Sequence, residues 1–105
     1  VIGLNDFYPN PSDGKTSIRY NAGKNSQFHL IDILGNKIKT FDLDYTGTLD
    51  ISTNEFGSGI YFGNLVVNKK LVYRVNFRGL SKSDAVKACQ RLNARNEMCE
   101  VLVVE

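Results

Sequence analysis

The sequence predicts a mainly β fold: an antiparallel sandwich or barrel, followed by one α-helix and a final strand. Two observations carry this. Short runs rich in Ile, Val, Tyr, Phe and Thr recur at roughly 8 to 12 residue intervals, with Gly- and Asn-containing turn signals between them. After Gly79 the pattern changes to a helical period with a capping residue in front of it.

The first run, "TSIRYNA" (16–22), alternates polar and apolar residues, with Ile18 and Tyr20 on one face. It is preceded by "YPNPSDG", which holds both prolines of the chain. Pro9 and Pro11 fix their own φ and bias Tyr8 and Asn10 toward extended geometry. This segment is expected to run straight, outside ladder pairing, until Asp13-Gly14 turns it into the strand. "QFHLIDIL" (27–34) follows, alternating but apolar in part on both faces. Next come "KIKTFDL" (37–43), "GTLDIS" (47–52), "GIYFGNLVV" (59–67) and "KLVYRVNF" (70–77). Gly23-Lys24-Asn25, Gly35-Asn36, Thr46-Gly47, Gly57-Ser58-Gly59 and Asn68-Lys69 supply the turns.

Ser81 stands at a natural N-cap with Asp84 three residues on, and Leu80 at the hydrophobic-staple position. Ala85, Val86, Cys89 and Leu92 fall on one face of a helix expected over 81–95, with Asn96 ending it. "CEVLVVE" is the last strand. The composition shift at Arg78-Gly79 divides a β part, 1–78, from a helix–strand extension, 79–105, expected to pack as one compact unit.

At 105 residues the chain fits one domain with one modest core. Its formal net charge is +2, with basic residues spread along the sequence, so a nucleic-acid interface is not indicated. No apolar run reaches the roughly 18 to 20 residues that span a bilayer. Neither end resembles a signal peptide, and the chain reads as a piece of a larger protein.

Catalytic patterns do not emerge. There is no Gly-x-Ser-x-Gly elbow, phosphate-binding glycine loop or HExxH pair. The lone histidine, His29, is out of phase with Phe28 and Leu30 and reads as surface-facing. Cys89 and Cys99 are too far apart for a CxxC motif, and a single histidine argues against a zinc site. They either pair as a disulfide or sit as two small buried residues.

Asp42, Asp44, Thr46, Gly47 and Asp50 in "DLDYTGTLD" share the spacing of a calcium loop. Thr53 stands where the bidentate Glu belongs, however, and no helices flank the segment, so an ordinary hairpin around Thr46-Gly47 is expected. In "NKKLVYRVNFR", Lys69, Lys70, Arg74 and Arg78 interleave with Tyr73 and Phe77 as in a polyanion site. Strand alternation instead makes Tyr73, Val75 and Phe77 a core-facing stripe. No cofactor is implied.

"YPNPSDGKTSIRYN", "FHLIDILGNKIKTF" and "GTLDISTNEFGSGIYFGNLVVNKKLV", in that order over about residues 4–77, resemble the type A C-terminal sorting domain of the bacterial type IX secretion system. The resemblance implies a small immunoglobulin-like β-sandwich of about seven strands with no enzymatic activity. Such domains ride on secreted cargo, are engaged by the outer-membrane translocon and are removed by a sortase-like peptidase, leaving the cargo at the cell surface. The matching positions are Pro9, Asn10, Pro11, Asp32, Gly35, Gly59 and Tyr61, with Lys70 in the terminal lysine-bearing strand. Each also has a plain structural reading: Asp32 and Gly35 bound a turn, Gly59 lets a strand start close to its neighbour, and Tyr61 belongs to the core.

The remainder, "VYRVNFRGLSKSDAVKACQRLNARNEMCEVLVV", resembles the second β-α-β half of a SPOR domain, a periplasmic module that binds peptidoglycan glycan strands. That resemblance implies a Cys89–Cys99 disulfide between helix and strand. It makes glycan binding through the C-terminal unit the alternative function, and a natural or engineered chimera without activity of its own a third. In the chimera, 70–77 would be both the last strand of the sandwich and the first of the appended unit. Otherwise the helix simply packs across the sandwich.

Overall fold

The computed structural model describes residues 2–67, 70–71, 79–94 and 99–105. One antiparallel sheet contains β1 (Gly3–Leu4), β2 (Lys15–Asn21) and β5 (Thr46–Ser52), in the order β1-β2-β5. The second runs β4 (Lys37–Leu43), β3 (Ser26–Asp32), β6 (Gly59–Val67). The outer edge of β6 is divided between two partners. β7 (Lys70–Leu71) lies opposite Val66 and Val67, and β8 (Cys99–Val104) lies opposite Gly59 to Asn64. A 3-10 turn, Thr53–Glu55, links β5 toward β6, and α1 spans Lys82–Ala94.

Alternation decides which side chains meet between the sheets. Ile18 of β2 and Ile51 of β5 face Phe28 and Leu30 of β3, Leu65 of β6, and Leu102 and Val104 of β8. Phe7 closes this core, its ring edge-on to Phe28 with centroids 6.1 Å apart. Gly63 of β6 leaves room for that pair: a Cβ there would lie 2.5 Å from Phe28 Cζ and 3.0 Å from Phe7 Cζ. The other face of the second sheet is apolar as well, which explains why "HLIDI" reads hydrophobic on both sides. Ile31, Phe62 and Cys99 are buried there beneath Ala85 and Cys89 of α1, with Ile60, Val86 and Val101 around them. The molecule is therefore layered as sheet, sheet, helix.

α1 starts as its sequence dictates, with the Asp84 N–H donating to Ser81 Oγ at 3.1 Å. Leu80, at the staple position, is exposed. Cys89 and Cys99 are disulfide-bonded with their Cα atoms 5.4 Å apart, joining the buried face of α1 to β8.

Three expectations are corrected. The 42–50 segment is not a hairpin: β4 and β5 belong to different sheets, and Asp44-Tyr45 carries the chain from one to the other. Gly47 consequently lies within β5, opposite Tyr20. His29 is buried rather than surface-facing, because its position on the helix-side face is flanked by Gln27 on β3 and by Asn64, its partner on β6. Burial, then the charge of Lys37, hold it below the ordinary histidine pKa. The "YPNPS" segment is not excluded from pairing. Tyr8 forms an antiparallel bridge with Ser17 and Ser12 a parallel bridge with Val104. Only the prolines lack an N–H, and the residues alternating with them keep theirs. The Tyr73–Val75–Phe77 stripe, the first strand of the SPOR-like unit beyond Leu71, and Asn96 lie outside the described residues.

Candidate functional site

Asn10 is anchored by its side chain. Its Nδ2 donates to the Val101 carbonyl at 2.9 Å, and its Oδ1 accepts from the Val103 N–H at 2.9 Å. The amide thus pairs with the edge of β8 as a strand backbone would. Ser12 continues the pairing: its N–H donates to Val103 O at 2.7 Å and its carbonyl accepts from Glu105 N–H at 2.9 Å. Pro9 and Pro11 alternate with these residues and are both preceded by cis peptide bonds. The Pro9 carbonyl accepts from Thr16 Oγ1 at 2.8 Å, and Ser12 Oγ lies 2.9 Å from Thr53 Oγ1. Tyr8, between Phe7 and Pro9, exchanges backbone hydrogen bonds with Ser17, and the residue is 81% exposed.

Asp32 organises the β3–β4 turn. Its Oδ1 accepts from the N–H groups of Leu34 and Asn36, each at 2.9 Å, and its Oδ2 from Asn36 Nδ2 at 3.1 Å. Gly35 sits in this turn at φ +86°. The turn holds Leu34 at its tip, 68% exposed. Tyr61 leans on Phe56 with ring centroids 5.6 Å apart and donates from Oη to Gly57 O at 2.7 Å. It is half-buried beside the sandwich core. Gly59 serves its backbone, at φ +151°, and nothing lies within 4 Å of a Cβ placed there. Close approach is instead the role of Gly63, which sequence reading passed over; the signal was a glycine in mid-strand.

These positions converge. Asp32 is paired across the sheet with Tyr61, Tyr61 with Leu102, and the strand holding Leu102 is bordered by Asn10. Pro9, Asn10, Pro11, Asp32, Gly35, Gly59 and Tyr61 therefore gather at one end of the five-stranded sheet, with exposed Tyr8 and Leu34 beside them. Lys70 is not part of the group. It pairs with Val67 at the other end of β6, roughly 20 Å away by strand rise. Among the described residues no three His, Cys, Asp or Glu side chains lie close enough to share a metal ion.

A family model described as a secretion system C-terminal sorting domain matches residues 6–76. No curated protein and no solved structure matches the chain. The matched stretch contains every motif position above, while α1 and β8 lie beyond it.

Proposed function

The chain belongs to the secretion system C-terminal sorting domain family, and we propose that it serves as a type IX sorting signal, directing the protein it is joined to toward the bacterial cell surface. The family is not an enzyme family, and the chain is read as a recognition element without catalysis of its own. Its partners are the outer-membrane translocon and a sortase-like peptidase. The family match across residues 6–76 carries this reading. That most of its motif positions lie toward one end of the five-stranded sheet, from the β3–β4 turn on one flank to the Asn10 segment beyond β8 on the other, supports it.

On that surface Asn10, Asp32 and Gly35 hold the backbone in place, and Tyr8 and Leu34 are the side chains free to contact a partner. Aromatic and aliphatic anchors of this kind dominate binding energy in protein interfaces. The test is a Tyr8→Ala, Leu34→Ser double variant fused to a reporter in a type IX-competent host. The variant should fold with unchanged melting temperature and lose surface delivery of the reporter. Full delivery by the folded variant would remove this surface from the account.

A further inference from the structure

The opposite end of β3 carries a second feature. There the β2–β3 loop and the Asp44-Tyr45 crossing, with the adjoining ends of β3, β4 and β6, line an open cleft of about 730 Å³, within the range of about 300 to 1,000 Å³ typical of small-molecule sites. Lys24, Asn25, Gln27, Asp42, Asp44 and Tyr45 contribute to its wall. The two loops are tied together: the N–H groups of Ala22 and Gly23 donate to the Tyr45 carbonyl at 2.5 and 3.2 Å. The Asp44 N–H donates to Tyr20 Oη at 3.3 Å.

Tyr45 stands out within this wall. The residue is 62% exposed, and its backbone, at φ +25°, lies in the left-handed region that a bulky side chain disfavours. Asn25, at φ +55° on the facing loop, is the other non-glycine residue with positive φ among the described residues. Backbone strain and an exposed ring thus meet at one cavity, a coincidence typical of ligand clamps. Three of the polar side chains, Gln27, Asp42 and His29, are linked to one another. Gln27 Nε2 donates to Asp42 Oδ1 at 2.9 Å, and His29 Nε2 lies 3.2 Å from Gln27 Oε1.

The chemistry of this wall selects a ligand class. Two carboxylates against one lysine disfavour a polyanion. An aromatic ring beside side-chain amides and carboxylates suits a molecule with one C–H-rich face and a rim of hydroxyls. We propose that this cavity binds a neutral saccharide, with Tyr45 as the stacking platform and Asn25, Asp42 and Asp44 as hydroxyl partners. The residues are distinct from the sorting surface and from the C-terminal helix and strand.

The test is a titration of the full 105-residue chain, isotope-labelled, with maltose, cellobiose, lactose and diacetylchitobiose, followed by amide chemical shifts. At least one sugar should give saturable shifts confined to Lys24, Asn25, Gln27, Asp44 and Tyr45, at concentrations up to about 20 mM, the weak-binding range. Tyr45→Asn keeps a residue that tolerates the left-handed backbone and removes the ring. It should weaken binding by about tenfold or more while leaving the melting temperature equal or higher. The proposal is overturned if no sugar gives saturable shifts, if the shifts survive in Tyr45→Asn, or if the cavity responds to calcium chloride or a lysine-rich peptide and to none of the sugars. Any of these leaves the sorting reading untouched, since that is measured by reporter delivery.

Discussion

Asn10 shows how one side chain can do the work of a strand. Its amide supplies the donor and the acceptor that the edge of β8 requires, between two residues that cannot donate. Asn10→Ala leaves the Val101 carbonyl and Val103 N–H to water and should cost about 1 to 2 kcal/mol in chemical denaturation. Asn10→Asp keeps the acceptor but sets a carboxylate oxygen against the Val101 carbonyl, and should cost at least as much. His29 makes a different prediction. Its folded pKa is lowered by burial and by Lys37, so the unfolded chain takes up the proton more readily. Stability should be independent of this group above about pH 6.5, the unfolded value. It should decline as pH falls from there through the folded pKa. Denaturation midpoints measured between neutral and mildly acidic pH should show that decline, and His29→Gln should lack the part due to histidine.

At the scale of elements, β8 and α1 act as one piece on the sandwich. β8 fills the edge of β6 that β7 leaves open and adds Leu102 and Val104 to the central core, while α1 covers the outer face. The Cys89–Cys99 disulfide fastens the two. Replacing both cysteines by serine should cost about 2 to 4 kcal/mol, and amide exchange should rise in α1 and β8 more than in β2 and β5. The strands at 37–43 and 59–67 were legible to the residue, because a glycine-containing turn signal stands directly before each. The cap at Ser81 was equally plain. Partner choice was not legible. The fate of β4 and β5, in separate sheets, depends on β2 and β3 competing for them. The role of Asn10 depends on a strand 91 residues later. The site residues could be named from their motifs, but not their convergence, since that follows from the register of β3, β6 and β8.

The whole molecule presents two distinct ends of one sheet. One carries the family's motif positions apart from Lys70, with exposed Leu34 on one flank and exposed Tyr8 on the other, and the second holds the cavity beside Tyr45. The family match covers residues 6–76, yet the sandwich core is completed by residues beyond it. A sorting signal that functions with α1 and β8 in place must be read from its folded surface, with the extension as part of the domain. The most direct measurement is delivery of a reporter fused to the full 105-residue chain in a type IX-competent host and in the same host lacking the translocon. The account predicts reporter at the cell surface in the first and retention in the periplasm in the second. Periplasmic retention in both, with the fused domain folded, would contradict it.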